Sequence, residues 1–220
     1  MRLAATLPLA LAALALAGPA AGARDPKLPQ LKTSKADVTT AKAIGLVRSD
    51  FATGWKAAPK QSDQPPCSAE PDESELVKTA GIDPTFVWKD GLTEVGSEVD
   101  VFRNAAQAQL DWRLSTLKLM QACLLESARR QFGAGVKVAL RSAVALPAPK
   151  LGERSLHYRI TLTVSGKSAV PIVAELVGVG VGRISVVLHA FSLATPLPAK
   201  GLDELTATLA QRLVRVSGGI

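Results

Sequence analysis

The sequence predicts an α+β domain built on an antiparallel sheet of about six strands, with two main helices packed on the sheet and one disulfide. Apolar and polar residues alternate from Leu156 to Val164, which is typical of a strand with one buried face. A β-branched apolar run from Val170 to Val177 predicts a central strand covered on both faces. Apolar residues at helical spacing over 105–131 and 202–216 predict the two helices.

Residues 1–23 have the features of a secretory signal peptide. Arg2 precedes an apolar run over 3–17, and small residues then end in Ala23, so cleavage is predicted between Ala23 and Arg24. An uncleaved membrane anchor is the alternative, but the apolar run is short for a spanning helix. We therefore expect a secreted, extracytoplasmic protein with no stable membrane insertion after cleavage.

The rest of the chain divides into a leader and one domain. Residues 24–36 contain prolines and lysines without hydrophobic periodicity, which predicts a flexible leader. Residues 37–220 are long enough for a single α+β domain. The formal net charge is +7. Nucleic acid is nevertheless not expected as a partner, because an exported chain does not ordinarily meet it and no basic cluster is interleaved with aromatics.

A short helix and an aromatic pair are predicted at the start of the domain. Asp37 can cap a helix in which Ala41 and Ile44 recur at helical spacing. Phe51 and Trp55 follow on either side of a glycine turn. We interpret the two aromatic side chains as core packing; a ligand-stacking site is the alternative.

Two strands joined by a turn are predicted next. Residues 86–88 form the first strand, Asp90-Gly91 is a turn signal, and residues 95–102 form the second strand. Two valines of the second strand are expected to face opposite Glu98 and Asp100.

A long helix is predicted from Ala105 to Gln131. Asn104 is a favourable N-cap, Gln107 stands in the capping-box position, and Gly133 ends the helix. We expect this helix to pack across the sheet. A lipid cavity lined by its Trp and Met side chains is the alternative.

Further strands and a last helix complete the domain. Alternation over 136–140 predicts a strand, and a meander of three strands follows. The glycine-rich segment from Gly178 to Gly182 is interpreted as the turn before the last strand. A final helix is predicted to begin near Gly201 and to dock its leucine stripe on the sheet.

Two cysteines, Cys67 and Cys123, remain after the signal peptide. In an oxidising compartment such a pair usually forms a disulfide. Closing this loop removes unfolded-state entropy worth about 4 kcal/mol. A reactive thiol is the alternative, but it needs a neighbouring base or a helix N-terminus, and Cys123 lies inside a predicted helix.

The sequence contains no recognised catalytic, phosphate-binding or metal-binding motif. Gly166-Lys167-Ser168 resembles the end of a phosphate-binding loop, but Thr161 stands where that motif requires glycine. His157 and His189 are predicted on the polar faces of two strands, as surface residues; they could approach each other across the intervening strand, with Glu175 as the one nearby carboxylate. We therefore assign no catalytic, cofactor-binding or metal-binding residue.

The order of elements resembles the PknH-like extracellular sensor domains and related exported proteins of actinobacteria. The resemblance covers about residues 37–216 and includes the segment from Asp50 to Trp55, the strand end Val99-Asp100-Val101-Phe102-Arg103-Asn104-Ala105, and the two cysteines. It implies a sheet flanked by helices that leave a groove for a ligand, with Cys67 and Cys123 matching the family disulfide. The chain departs from this family in lacking a kinase domain and a second disulfide that some members carry, and the resemblance implies no catalytic residue.

These observations together predict a noncatalytic secreted binding or sensor-like domain. Its expected partner is a small-molecule, lipid or cell-envelope ligand, with no cofactor. The alternative is a secreted hydrolase whose site is assembled only in the fold, as spatial triads often are. Such an enzyme would rely on His157 or His189 if it used an imidazole, because these are the two histidines of the chain.

Overall fold

The computed structural model describes residues 27–59, 66–133, 135–166 and 169–218. The predicted signal peptide and its cleavage site between Ala23 and Arg24 lie outside these residues. The described residues form nine strands and four α-helices: β1 (Gln30–Leu31), α1 (Lys35–Ile44), β2 (Trp55–Ala57), β3 (Val77–Ile82), β4 (Thr85–Trp88), β5 (Thr93–Phe102), α2 (Ala105–Leu114), α3 (Leu117–Phe132), β6 (Lys137–Ala145), β7 (Arg154–Ser165), β8 (Ala169–Val181), β9 (Ile184–Leu193) and α4 (Ala199–Val216).

The described strands all belong to one sheet, whose order is β1-β3-β5-β9-β8-β7-β6. β4 pairs with β5 on the same edge as β3, and β2 pairs with β4. β1 runs parallel to β3, and the other pairings are antiparallel. The α+β class and the terminal meander are therefore confirmed.

The prediction of about six antiparallel strands corresponds to β4–β9 and is wrong in number, since β1, β2 and β3 are added. β1 and β2 have two and three residues, too few to show an alternation. The residues of β3 read Val-Lys-Thr-Ala-Gly-Ile, and their polar and small side chains hide the period of two. β1 lies within the segment predicted as a flexible leader, where Lys32 N–H also donates to Lys78 O at 2.9 Å.

One face of the sheet, which we call the first face, packs against α1 and α4. Alternate valines of β5, β8 and β9 form its floor, and Ile44 of α1 and Leu209 and Leu213 of α4 cover them. The leucine stripe predicted for the last helix is thus confirmed as a docking face. The helix begins at Ala199, two residues earlier than predicted.

The opposite face, which we call the second face, packs against α2 and α3. Leu124 and Ala128 of α3 contact a cluster of apolar side chains that includes Ile160 and Leu162 of β7. These two residues belong to the predicted apolar face of the strand over 156–164, so that prediction is confirmed.

The long helix predicted from Ala105 to Gln131 is two helices, α2 and α3, separated at Ser115 and Thr116. Thr116 Oγ1 accepts a hydrogen bond from Leu119 N–H at 3.2 Å and caps α3. The break follows because Ser and Thr hydroxyls offer the backbone an alternative to helical hydrogen bonding.

The ends of the predicted long helix are confirmed, although one cap differs. Asn104 Oδ1 accepts from Gln107 N–H at 3.0 Å, and Gly133 is the C-cap of α3 with φ 73°. Gln107 does not complete a capping box. Its Nε2 donates to Glu75 O at 3.0 Å and its Oε1 accepts from Val77 N–H at 3.2 Å, so it ties α2 to the start of β3.

The prediction that Asp37 caps α1 is also wrong. Ser34 is the N-cap, and its hydroxyl oxygen accepts from Asp37 N–H at 3.4 Å. Asp37 instead accepts two hydrogen bonds from Arg183, at 2.6 and 3.0 Å. These bonds hold the pKa of the Asp37 carboxyl below its usual value and anchor α1 to the β8–β9 turn.

The predicted disulfide between Cys67 and Cys123 is present, with the two Cα atoms 5.2 Å apart. It joins the loop that precedes β3 to α3. Next to it, Ser68 donates from its N–H and its hydroxyl to Glu126 Oε2, at 3.0 and 2.5 Å. Within the part of the chain that the structure describes, no helix is long and apolar enough to cross a membrane.

Candidate functional site

The two histidines lie on opposite faces of the sheet, so the expected approach across β8 does not occur. His157 is in register with Val177 of β8, and Val177 is in register with Leu188 of β9, so the neighbouring His189 points to the other face. The prediction that both are surface residues is wrong for His189, which is 6 % exposed. It is buried because β9 is a central strand whose second face is covered by α2 and α3.

His157 lies on the first face beside Glu175, as the sequence suggested. Glu175 is 1 % exposed and accepts from Arg159 Nε at 2.6 Å, while His157 Nε2 lies 4.0 Å from Glu175 Oε1. The carboxylate charge is thus paired with Arg159. His157 Nε2 and Glu175 Oε2 are buried and have no hydrogen-bond partner.

The aromatic pair predicted near the start of the domain belongs to the first-face core. The ring centroids of Phe51 and Trp55 are 4.9 Å apart, and Phe51 also packs on Phe86 at 4.6 Å. Both pack against the first-face core cluster. This favours the core-packing interpretation over a ligand-stacking site.

The largest collection of polar side chains lies on the second face, between the sheet and α2. We call it the polar groove; it consists of Lys78, Glu94, Glu98, Asp100, Asp111, Trp112, Ser185, Val187 and His189. Val187 is half-buried and the Glu98 side chain is 32 % exposed, although both lie on strands with neighbours on either side. The helical layer is therefore open above them.

Two glycines of β8 set the depth of the groove. A Cβ on Gly178 would lie 2.8 Å from the Trp112 ring, and a Cβ on Gly180 would lie 2.8 Å from the Arg154 guanidinium. The missing side chains let Trp112 and Arg154 lie flat on the strand, with the guanidinium carbon 5.8 Å from the indole centroid. The prediction that the segment from Gly178 to Gly182 is a turn is wrong for Gly178 and Gly180, because β8 continues to Val181, and is confirmed for Gly182, which lies between β8 and β9 with φ 52°.

The outer end of the groove is a charged cluster around Lys78. Its Nζ lies 2.5 Å from Asp100 Oδ2 and 3.8 Å from Glu98 Oε1. Burial lowers the pKa of the Lys78 ammonium, but the attraction of Asp100, Glu98 and Asp111 more than reverses this effect, so its pKa is raised. Lys78 is therefore charged throughout the physiological range of pH.

Two carboxyls of this cluster have pKa values near neutrality. Burial, with a smaller contribution from the Asp100 carboxylate, raises the pKa of Glu98 to about 8. Burial also raises the pKa of Asp111 to about 7; Lys78 opposes the rise, and Asp100 and Glu73 add to it. Both groups therefore exchange protons with solution near neutral pH.

The inner end of the groove holds Glu94 and His189, which are diagonal neighbours in the β5–β9 ladder. Glu94 is 1 % exposed, and burial alone raises its pKa to about 7. Burial lowers the pKa of His189 to about 4, so its imidazole is neutral at pH 7. Its Nε2 lies directly over Gly96, where a Cβ would be 2.3 Å away.

Three buried atoms of the groove have no hydrogen-bond partner: Glu94 Oε1, Ser185 Oγ and His189 Nε2. Ser185 is 5 % exposed and stands directly opposite Asp100 in the β5–β9 ladder. Buried polar groups are nearly always paired, because an unpaired one costs about 1–3 kcal/mol.

Unpaired buried atoms also occur on the first face, at His157 Nε2, Thr163 Oγ1 and Glu175 Oε2. The groove is the candidate site because its unpaired atoms share a face with the charged cluster around Lys78 and with the partly exposed Glu98.

The residues of the groove limit the kinds of catalytic or metal site that it could form. Among the described residues, no group of three or more His, Cys, Asp or Glu side chains is placed to hold a metal ion. No hydrogen bond joins either histidine to a serine or threonine hydroxyl in the same part of the chain, and both cysteines are in the disulfide. The groove offers carboxyl groups, the Lys78 ammonium, one neutral imidazole and one hydroxyl.

A separate pocket of about 270 Å³ lies between the loop that precedes β3 and the helices α2 and α3. Pro71 of the preceding loop, Leu114 of α2 and Leu119 of α3 are among the residues that line it. It contains none of the unpaired polar atoms.

The sequence pattern correctly predicts that Glu98 and Asp100 share one face of the sheet, but it does not predict the groove as a whole. The signal that could have found it is the alternation of glycines at 178 and 180 inside an apolar run, which indicates a close approach to a strand. No protein-family model matches the chain, and no curated protein is significantly similar to it.

Proposed function

We propose that this chain is a secreted, noncatalytic binding module that holds a small ligand in the polar groove. The observation that carries the proposal is the set of three unpaired buried atoms, Glu94 Oε1, Ser185 Oγ and His189 Nε2, on the same face of the sheet as the partly exposed Glu98 and Val187. A ligand in the groove would supply the missing hydrogen bonds. The resemblance to extracellular sensor domains, which implies a groove between sheet and helix, supports the same reading.

The geometry of the groove suits a small ligand. Glycines at 178 and 180 lower the floor beside Trp112, and Val187 supplies an apolar surface between that ring and the charged cluster. Small-ligand sites commonly combine apolar walls with a few fixed polar groups. The disulfide secures α3, whose first residues follow directly on α2.

The proposal is tested by native mass spectrometry of the protein purified from its producing cells, with Val187→Trp as the groove-blocking variant. The indole would fill the opening above β9. Val144→Trp is the matched control, because Val144 is 42 % exposed on the edge strand β6 and points to the first face. Circular dichroism checks that both variants fold.

We expect a noncovalent adduct in the parent and in Val144→Trp and none in Val187→Trp. Equal retention of the adduct by both variants would place the ligand elsewhere. A parent protein that carries no adduct and shows no thermal shift with a metabolite library would contradict a binding role.

One observation favours a hydrolase as the second candidate. Glu94 and His189 are neighbouring titratable groups whose environments move their pKa values in opposite directions, to about 7 and about 4. Such separation is typical of acid–base pairs. A broad hydrolase panel tests it: turnover that is lost in His189→Gln and kept in His157→Gln would favour the enzyme, because His157 lies on the opposite face.

A further inference from the structure

We propose that the polar groove selects ligands that carry an organic ammonium group, bound between Glu98 and Asp111 at its outer end. This inference rests on the proposed binding function and names the ligand class of the same site. Three observations carry it: an excess of carboxylates, the engagement of the internal cations, and an unpaired hydroxyl beside the carboxylates.

The outer end holds more acidic than basic side chains. Glu73, Glu98, Asp100 and Asp111 interact electrostatically with one another, and Lys78 is the cation within the cluster. Lys78 Nζ forms an ion pair with Asp100 Oδ2 at 2.5 Å and lies 3.8 Å from Glu98 Oε1. The cluster therefore contains one ammonium and four carboxyl groups.

The charge of the Arg154 guanidinium opposes the rise in the pKa of Asp111, and its buried Nε has no hydrogen-bond partner, but its other nitrogens make their contacts away from the carboxyl cluster. Arg154 Nη2 donates to the backbone oxygens of Gly182 and Ile184, at 3.0 and 3.4 Å, and Nη1 lies 3.6 Å from Glu153 Oε2. These contacts hold Arg154 over Gly180. In the described residues, no side chain donates a hydrogen bond to the Asp111 carboxylate, while Glu98 lies 3.8 Å from Lys78 Nζ and is hydrogen-bonded to the Asp100 carboxyl, which helps to raise the pKa of Glu98.

The hydroxyl of Ser185 provides the second, independent observation. It is buried, lies directly opposite Asp100, and has no hydrogen-bond partner. A hydroxyl and carboxylates together present lone pairs to the opening. An ammonium carries three N–H donors and no acceptor, so it matches this arrangement, whereas an anion would be repelled.

Glu98 and Asp111 also remain within reach of solution. The Glu98 side chain is 32 % exposed, Asp111 is half-buried, and neither carboxylate is enclosed as that of Glu94 is. Lys78 already shows how an ammonium sits in this cluster, since it bonds Asp100 from the β3 side. A ligand would approach from the α2 side and bridge the other two carboxylates.

Binding of a cation is expected to release protons. Burial holds the pKa values of Glu98 and Asp111 near 8 and 7, so both are partly protonated at pH 7. The charged groups that face them are Glu73, Lys78 and Asp100, together with Arg154 on β7. An incoming ammonium favours the ionised carboxylates, and the displaced protons pass to the buffer.

Calorimetric titration of the parent with 1,4-diaminobutane and with spermidine tests the inference, and 1,4-butanediol is the neutral isostere. Titrations at pH 6, 7 and 8 in two buffers of different ionisation enthalpy measure proton release. We expect the diamines to bind and the diol not to bind, a heat that depends on the buffer at pH 7, and an affinity that rises with pH.

The variant Glu98→Gln/Asp111→Asn keeps the shape of the groove and is expected to weaken diamine binding at least about tenfold, since each lost charge-assisted hydrogen bond costs that much or more. Glu204→Gln is the matched control, because Glu204 is an exposed carboxylate on α4. Equal affinity of the double variant and the parent would overturn the inference, as would binding without proton release.

The two proposals fail in different ways. If the adduct seen in the parent and lost in Val187→Trp is neutral or anionic, and the diamines do not bind, the ammonium inference is wrong while the binding function stands. If neither an adduct nor diamine binding is found, both are wrong. Diamine binding that Val187→Trp leaves intact would place the ammonium outside the groove and overturn the inference.

Discussion

Glu94 is expected to make the protein less stable as the pH rises from about 4.5 to 7. Its carboxyl is 1 % exposed, and burial raises its pKa from the ordinary value of 4.5 to about 7. The folded state therefore holds this proton more tightly than the unfolded state does. The stabilisation that this carboxyl contributes is fully present at a pH below its pKa in the unfolded chain. It is lost as the pH rises through its pKa in the folded protein.

The magnitude follows from the shift in pKa. A difference of one unit corresponds to about 1.4 kcal/mol, so the carboxyl is expected to remove about 3 kcal/mol from the free energy of unfolding between pH 4.5 and 7.5. Glu94→Gln carries no titrating group, so at pH 8 it should be more stable than the parent by a similar amount. At pH 4 the two proteins should differ little.

Urea unfolding followed by tryptophan fluorescence at pH 4, 5, 6, 7 and 8 measures this difference, with the free energy extrapolated to water. Glu204→Gln is the control for the loss of a charge, because its carboxylate is exposed on α4. The reasoning is refuted if Glu94→Gln follows the pH profile of the parent, since the carboxyl would then ionise equally in both states.

Three further outcomes are expected. Cys67→Ser/Cys123→Ser should lower the free energy of unfolding by about 4 kcal/mol, measured by urea denaturation; an unchanged midpoint would show that the crosslink does not constrain the unfolded chain. Gly178→Leu should displace Trp112 and cost about 1–3 kcal/mol, seen as a shift in tryptophan emission and an earlier urea midpoint; unaltered emission and stability would contradict the close contact. The intact mass of the protein from producing cells should lack residues 1–23, and a mass that retains them would rule out cleavage at the predicted site.

Much of the sheet could be predicted from the sequence, because its long strands bury one or both faces. The apolar side of Leu156–Val164 meets α3, and the β-branched run in β8 is covered on both sides, as the pattern indicated. β3 was missed because a strand containing Lys78 and a glycine has no apolar periodicity. Its role is to bring Lys78 to Asp100, which depends on pairing between distant segments.

The break between α2 and α3 could not be predicted from the sequence for a different reason. Apolar spacing continues across Ser115 and Thr116, so periodicity alone predicts one helix. The Thr116 cap ends that continuity locally and lets α2 lie over β5 and β9 while α3 packs on β6 and β7.

The polar groove could not be predicted because its members come from β3, β5, α2 and β9, which are far apart in the chain. The unpaired buried atoms of the groove also destabilise the folded protein. Each unpaired buried atom costs about 1–3 kcal/mol, and apolar side chains of similar shape at Glu94 and His189 would remove that cost. The nearby valines and leucines of the second face show that the sheet accommodates such side chains. The burial of these polar groups is therefore a cost to the fold, which the proposed ligand would offset by completing their hydrogen bonds.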